Sequence, residues 1–231
     1  MSFPIIFGNR KRGGRRGGET SLRIVDDSWA EYHFDEGSGT EVLDKSGNDR
    51  DFIGLTDNGG PSSSWGEVGG ISCLIFGVNT QVFLDTPSPV QPFTVLGLSQ
   101  VSFSLGDQPK NIIHGPGGSI KMEPGGRLSL YLELDYDESD ATVGNNVWFR
   151  WAVVADGLNT VLRIEQVSNQ INPDYLPGYG SLGSSTTLGA DESTAFAVQR
   201  QAALCIVASA MSEAEIDAAF TRIYEIKGTP T

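Results

Sequence analysis

Trp29-Ala-Glu-Tyr-His-Phe-Asp-Glu-Gly-Ser-Gly-Thr-Glu-Val-Leu-Asp-Lys-Ser-Gly-Asn48 reads as a strand, a Gly-Ser-Gly turn, and a second short strand closed by an Asx/Gly turn. Side chains alternate across a strand, so Ala30, Tyr32 and Phe34 fall on one face and Trp29, Glu31 and His33 on the other. An apolar face of this width implies a sheet with one side turned toward a core.

The same grammar continues through the chain. Short apolar runs occur at Ser72–Phe76, Val82–Leu84, Phe93–Leu98, Val101–Leu105, Leu128–Leu134, Val147–Ala155, Val161–Val167 and Ala202–Ala208. Between them stand Asp57-Asn-Gly-Gly, Thr86-Pro-Ser-Pro, Gly115-Pro-Gly-Gly, Pro124-Gly-Gly and Asp156-Gly. Strands this short with turns this regular predict an antiparallel sandwich, and no solenoid or propeller period is present. The 231 residues, 39% hydrophobic with 29 glycines and 11 prolines, suit one β-rich domain with an appendage. A single helix is signalled, near the end. Ser212 and Glu215 have capping-box spacing, Met211 and Ile216 fit a hydrophobic staple, and Ile216, Ala219, Phe220 and Ile223 mark one apolar face before Gly228 and Pro230.

Charge divides the chain in two. Arg10, Lys11, Arg12, Arg15 and Arg16 lie within residues 1–18, which contain no acid. The other 11 basic residues face all 29 acidic ones, so the body carries a net −18 within an overall −13. An acidic body argues against nucleic-acid binding and fits basic partners, calcium or plain solubility. In the basic segment Gly13, Gly14, Gly17 and Gly18 favour flexibility. Phe3, Ile5 and Phe7 alternate as a strand added to a partner's sheet edge would. Residues 1–20 are therefore expected to be an anchoring arm that contacts other protein chains of a large assembly through residues 1–18. Phosphate contact is its rival role, without base stacking, since no aromatic is interleaved with the charges. The segment is not a signal peptide, because its charges follow the short apolar part Phe3–Phe7. No apolar run approaches the ~20 residues of a membrane helix. Cys73 and Cys205, both in apolar runs, are expected to be buried thiols.

These pieces resemble, in order, the laminin G-like and pentraxin-like domains of the concanavalin A-like lectin and glucanase class. Tyr32–Asn48 resembles the family's opening and Ser72–Leu84 its first hairpin. Phe93-Thr-Val is similar to a central strand, without the usual tryptophan. Asn146–Gly157 resembles a later strand, with Trp148 or Trp151 at its tryptophan, and Ala208–Ile216 the entry to the closing helix. Phe76-Gly77 and Asn79-Thr80 stand where the family often has Asp-Gly and a second Asp, and the closing strand lacks the usual acid. The resemblance thus implies the fold and does not carry over a ligand site.

Arg127–Asp137 is the most regular alternation. Read as one strand, it points Leu128, Leu130, Leu132 and Leu134 to the core, and Ser129, Tyr131, Glu133, Asp135 and Asp137 away from it. Glu133-x-Asp135-x-Asp137 resembles the carboxylate strand of laminarinase-type glycoside hydrolases, which implies Glu133 and Asp137 as the two carboxylates a retaining glycosidase needs. The plainer reading is a solvated outer face running into a hairpin. Asp135, Asp137 and Asp140 offer oxygens at calcium-loop spacing, although an EF-hand would need Gly at 140 and Glu at 146. Asp44, Asn48, Asp49 and Asp51 make a second oxygen-rich stretch best read as turn chemistry. Tyr175 and Tyr179 sit in the longest loop-like stretch, where they would stack on a sugar, pack on a neighbour or brace their own loop. His33 and His114 are the only histidines, too few for a histidine-rich zinc site, and the glycine clusters lack the strand–loop–helix context of a phosphate loop.

The expectation is an all-β concanavalin A-like jelly-roll sandwich of two antiparallel sheets over residues 21–231, with a short C-terminal helix and an extended N-terminal arm. The layout resembles phage virion accessory proteins, such as capsid decoration or tail-fibre components. The expected function is non-enzymatic: a domain oligomeric in its assembly, at a virion or extracellular surface, without a cofactor beyond calcium. It would present Tyr131, Glu133, Asp135, Tyr175 and Tyr179 to a surface polysaccharide. The alternatives are a stand-alone carbohydrate-binding module and the hydrolase.

Overall fold

The computed structural model describes residues 22–57, 63–76, 80–84, 88–103, 109–132, 135–170, 182, 186–189, 196–197 and 200–230. The arm of residues 1–20, Glu133, Tyr175 and Tyr179 lie outside them. The strands are β1 (Ala30–Tyr32), β2 (Phe52–Asp57), β3 (Ser64–Val68), β4 (Ile71–Ile75), β5 (Thr80–Leu84), β6 (Phe93–Gln100), β7 (Lys110–Gly115) and β8 (Gly118–Met122). They continue as β9 (Arg127–Leu132), β10 (Asp135–Thr142), β11 (Trp148–Ala155), β12 (Val161–Ile164), β13 (Val167–Gln170), β14 (Thr186–Gly189), β15 (Phe196–Ala197) and β16 (Arg200–Val207), followed by helix α1 (Glu213–Lys227).

The first sheet has the order β13-β12-β11-β6-β16-β4-β3, with β1 also paired to β16; the second has the order β10-β9-β8-β7-β14-β5-β2. Pairing is antiparallel except where β15 joins β7. The chain crosses repeatedly between the sheets, and residues of both meet in one core: Ala30, Tyr32, Phe34, Phe149, Trp151 and Leu204 from the first side, Ile113, Ile120, Met122, Leu128, Leu130 and Leu132 from the second. The face expected for Ala30, Tyr32 and Phe34 is the one they occupy.

The centre of the first sheet is buried on both faces. All eight residues of β6 and Gln201–Val207 of β16 are buried. On the outer side Ile71, Cys73, Leu96, Leu98, Ala152 and Cys205 pack with Ile24 and with Ile216, Ala219, Phe220 and Ile223 of α1. Each large side chain buried this way contributes on the order of 2 kcal/mol. Cys73 and Cys205 are free thiols, and burial pushes Cys73 up to about 11 and Cys205 well above its ordinary value. Trp151 is the tryptophan of the inter-sheet core and Trp148 that of the outer cluster.

A polar thread crosses the inner core. Trp151 Nε1 donates to Ser99 Oγ at 2.8 Å, Ser99 Oγ donates to Gln201 Oε1 at 2.8 Å, and Gln201 Nε2 donates to the Ala203 carbonyl at 2.6 Å. It sits at the β16 irregularity between Gln201 and Ala203. Gly97 leaves room for it, because a Cβ there would lie 2.5 Å from Ala203 O and 3.0 Å from the Trp151 ring.

The helix begins as the sequence indicates. Ser212 Oγ accepts from Glu215 N, and Glu215 Oε2 accepts from Ser212 N at 2.7 Å, completing the capping box. These bonds hold the Glu215 carboxyl below the usual carboxylate range. Two arginines fasten the helix to the sheet. Arg150 lies 4.2 Å over the Tyr224 ring and pairs with Glu165 at 2.6 Å. Arg163, with a side chain 3% exposed, pairs with Glu213 at 2.6 Å and with Asp217. At the other end Lys227 Nζ donates to the His33 carbonyl at 2.6 Å, and burial lowers its pKa.

Four local readings change. Arg127–Asp137 is a hairpin rather than one strand: Leu132 pairs with Asp135, Tyr131 with Tyr136 and Leu130 with Asp137. Val161–Val167 likewise reverses between β12 and β13 at Glu165, which has a left-handed φ of 52°. Glu165 turns there because its carboxylate accepts from Arg150 N at 2.6 Å and from the Arg150 guanidinium. Val101–Phe103 follow the end of β6 without extending it. The second strand expected after Gly39 is a single bridge, Val42 to Phe52.

Replacing Arg163 by Ala should remove the clamp at the start of α1 and cost about 2 kcal/mol, a typical value for hydrogen bonds to charged groups less a discount for half-exposed partners. Urea unfolding should show the loss as a lower midpoint with unchanged slope.

Candidate functional site

The second sheet packs only one face on the core. On β8 and β9, Ile120, Met122, Leu128, Leu130 and Leu132 point inward, so Ser119, Lys121, Ser129 and Tyr131 lie on the opposite face. The ladder extends this face sideways: Asn111 pairs with Lys121, His114 with Ser119, and Thr187 with His114. Over β7, β8, β9 and Thr187 of β14 its residues are polar, and beyond them the same row continues to Ile53 of β2, which is exposed. Asn111, Ser119 and Ser129 are buried within the face, while His114, Lys121 and Tyr131 are half-buried.

Tyr131 is the ring at its centre. Lys121 Nζ lies 4.6 Å from the ring centroid. Burial, the nearby Glu123 and Glu138 carboxylates and a hydrogen bond to Glu123 push the phenol up to about 12. Glu123 Oε1 also accepts from Ser129 Oγ at 2.7 Å, and Glu138 pairs with Arg127 at 3.1 Å at the sheet edge. The described side chains of the face therefore offer the Tyr131 ring, amide and hydroxyl groups, and ions of both signs held in place by one another. Such a set can orient a polyhydroxylated ligand by hydrogen bonds.

Of the residues singled out in the sequence, Tyr131 belongs to this face. Asp137 does not, because its partner across the ladder is Leu130 and directly opposed residues share a face. Glu133, the other carboxylate of the hydrolase reading, lies outside the described residues; of that pair only Asp137 is placed, opposite Leu130 across the hairpin. For calcium, Asp137 and Asp140 both lie on β10, with an irregularity of register between Glu138 and Thr142. Among the described residues no three of His, Cys, Asp or Glu come together to hold a metal ion, and the side chain of Asp135 lies outside them. The second oxygen-rich stretch is turn chemistry, as expected: Asp44 accepts from Glu31 N, Ser46 N and Arg50 N.

Lys121, Glu123 and Asn111 were missed in the sequence. The signal was present in Ser119-Ile-Lys-Met-Glu123, whose period of two mirrors that of Leu128–Leu132 across the hairpin. Glu31 and His33 were also missed as a pair. They occupy the face opposite Tyr32, as expected, yet Glu31 is fully buried and its Oε1 lies 2.7 Å from His33 Nε2. The Glu31 carboxylate accepts from Ile24 N at 2.8 Å and Val25 N at 3.4 Å, with Arg23 Nε 3.5 Å away, so it ties the incoming chain to the sheet.

No family model and no curated protein sequence matches the chain. Solved structures do. Domain 4 of AbnA, a GH43 extracellular arabinanase from Geobacillus stearothermophilus solved in complex with arabinotriose, matches with a TM-score of 0.62 at 16% identity, over 82% of this chain and 97% of that one. The receptor binding domain of botulinum neurotoxin type G gives 0.58 at 11% identity, over 84% of this chain and 51% of that one. Trypanosoma rangeli sialidase in complex with sialic acid gives 0.57 at 10% identity, over 87% and 33%. The chain thus spans about half of the toxin domain and a third of the sialidase. The likeness establishes the fold, a concanavalin A-like jelly-roll sandwich.

The raised Tyr131 pKa has a sign that can be checked. The neutral phenol is favoured in the folded state, so its contribution is fully present below pH ~10. It is lost as pH rises toward about 12. Tyr131→Phe should flatten this part of the alkaline limb, read as stability against pH in urea titrations of both proteins.

Proposed function

We propose that the chain is a non-enzymatic, glycan-binding sandwich domain that docks on a larger assembly through residues 1–18 and presents the polar face of its second sheet to a surface polysaccharide. The observation that carries this reading is the face itself. Asn111, His114, Ser119, Lys121, Ser129 and Tyr131 gather donors, acceptors and the Tyr131 ring on the side opposite the core. The fold supports it by analogy, since the matching arabinanase domain was solved with arabinotriose, and a sialidase of which this chain matches a third was solved with sialic acid. A non-catalytic role fits the two described carboxylates of the face, because Glu123 is engaged by Ser129 and Tyr131, and Glu138 by Arg127. Placement on a phage capsid or tail rests on the layout of a basic, partly apolar arm before an acidic sandwich. Calcium has no part in this reading.

The full-length chain should bind a subset of an immobilised oligosaccharide panel that includes arabino-oligosaccharides and sialylated glycans. Tyr131→Ala should weaken that binding about tenfold, or ~1.4 kcal/mol, as expected for losing one ring contact. Absence of any glycan binding, or binding indifferent to both Tyr131→Ala and Lys121→Ala, would overturn the glycan reading. Deleting Met1–Gly18 should abolish co-purification with a large particle; full occupancy by the truncated chain would overturn the docking reading.

A further inference from the structure

Beyond β1 the chain turns at Phe34, which has φ 50°, and residues 35–45 then border a cleft of 630 Å³. Asp35, Glu36, Ser38, Thr40, Glu41 and Lys45 are among its lining residues, so three carboxylates face one ammonium. Lys45 Nζ lies 3.1 Å from Asp35 Oδ1 and 3.9 Å from Glu36 Oε1, while Glu41 is exposed. The rim is braced from outside: Trp65 Nε1 donates to Gly39 O and Leu55 N to Thr40 O, both at 3.0 Å. A preformed rim lowers the ordering cost of binding.

Glu36 indicates what is missing. Its side chain is 9% exposed, and its Oε1 accepts from Leu43 N at 3.0 Å. Its Oε2 is buried with no hydrogen-bond partner. A buried carboxylate oxygen without a donor is unfavourable, and a charged N–H donor is its best complement. The chain itself carries such donors in Arg10-Lys-Arg-Gly-Gly-Arg-Arg16, where no acid competes. A guanidinium presents a fork of donors that matches a carboxylate, and Gly13-Gly14 lets the segment follow an open cleft.

We propose that this cleft takes the Arg/Lys segment of residues 10–16 from a second copy of the chain. The inference rests on the reading that the arm docks on another chain, and it names that chain. Glu31 fixes Ile24 and Val25 at the helix-bearing face of the first sheet, and the cleft rim lies at the sandwich edge, bonded to β3 of the first sheet through Trp65 and to β2 of the second through Leu55. A basic segment of one copy set into the acidic cleft of the next joins two different surfaces. Such a contact is head-to-tail, and repeats of it close into a ring or continue as a filament.

The test is charge neutralisation with complementation, followed by light scattering at low and high ionic strength. One full-length variant carries Gln at Arg10, Lys11, Arg12, Arg15 and Arg16; the other carries Glu36→Gln and Glu41→Gln, with Gln keeping the acceptor for Leu43 N. Wild type should associate at low salt and disperse at high salt. Each variant alone should associate at least ~tenfold more weakly. Their mixture should form a complex of two chains, since one supplies an intact arm and the other an intact cleft. Equal thermal midpoints will show that the folds are intact. Association of the cleft variant like wild type, with loss only in the arm variant, would refute the cleft and leave arm docking standing. A wild type monomeric at every salt concentration would refute contact between copies, and association indifferent to both sets would refute the arm's role in it as well.

Discussion

The first sheet is apolar on both of its faces, and much of the rest of the chain answers that constraint. β6 and β16 form its centre, and every residue of β6 is buried. One face is covered by the second sheet. The other is covered by α1 and by the segment around Ile24. Neither cover is held by apolar contact alone. Glu31 fastens the incoming segment, Arg163 fastens the helix at its start, and Arg150 and Lys227 fasten it toward its end. Charges drawn this far from water are tolerable only when paired and hydrogen-bonded. Each of these is.

The asymmetry between the sheets follows directly. With the helix committed to the first sheet, the second keeps a polar face, and its strands carry the alternation of a half-buried antiparallel sheet. That face holds the candidate ligand groups. The sandwich edge is a different setting, where the chain passes from β1 to β2 through residues 35–45. There the backbone is bound to both neighbouring strands and the carboxylates collect. One fold thus separates a surface of mixed polarity from a cleft of mainly one sign.

What could be read in advance was local. The capping box at Ser212 and Glu215, the apolar stripe of α1, the burial of both thiols and the core face of Ala30, Tyr32 and Phe34 all depend on residues close in sequence. The errors came where two structures share one pattern. A hairpin with a tight reversal preserves a period of two, so Leu128–Leu134 and the acids after it looked like one strand. Only the pairing of Leu132 with Asp135 reveals the reversal, and with it that Asp137 and Tyr131 part company. Glu31 and His33 were placed on the right face but taken as outward. A helix nearly two hundred residues later covers that side of the sheet, as the bond from Lys227 to His33 records. The polar face is similar: each strand showed its own alternation, but the sideways order β9-β8-β7-β14 is a long-range fact.

The bond from Lys227 to His33 also fixes a direction in space. The described chain enters beside β1, at the segment held by Glu31, and leaves just after Lys227. Both points therefore lie on the helix side of the first sheet. A sandwich tethered through either end would stand on that side, with its second sheet turned away from the support. Copies fixed to a common surface would then present their polar faces in parallel. Weak single contacts with a repetitive polymer could add up through valency, without any one site being tight.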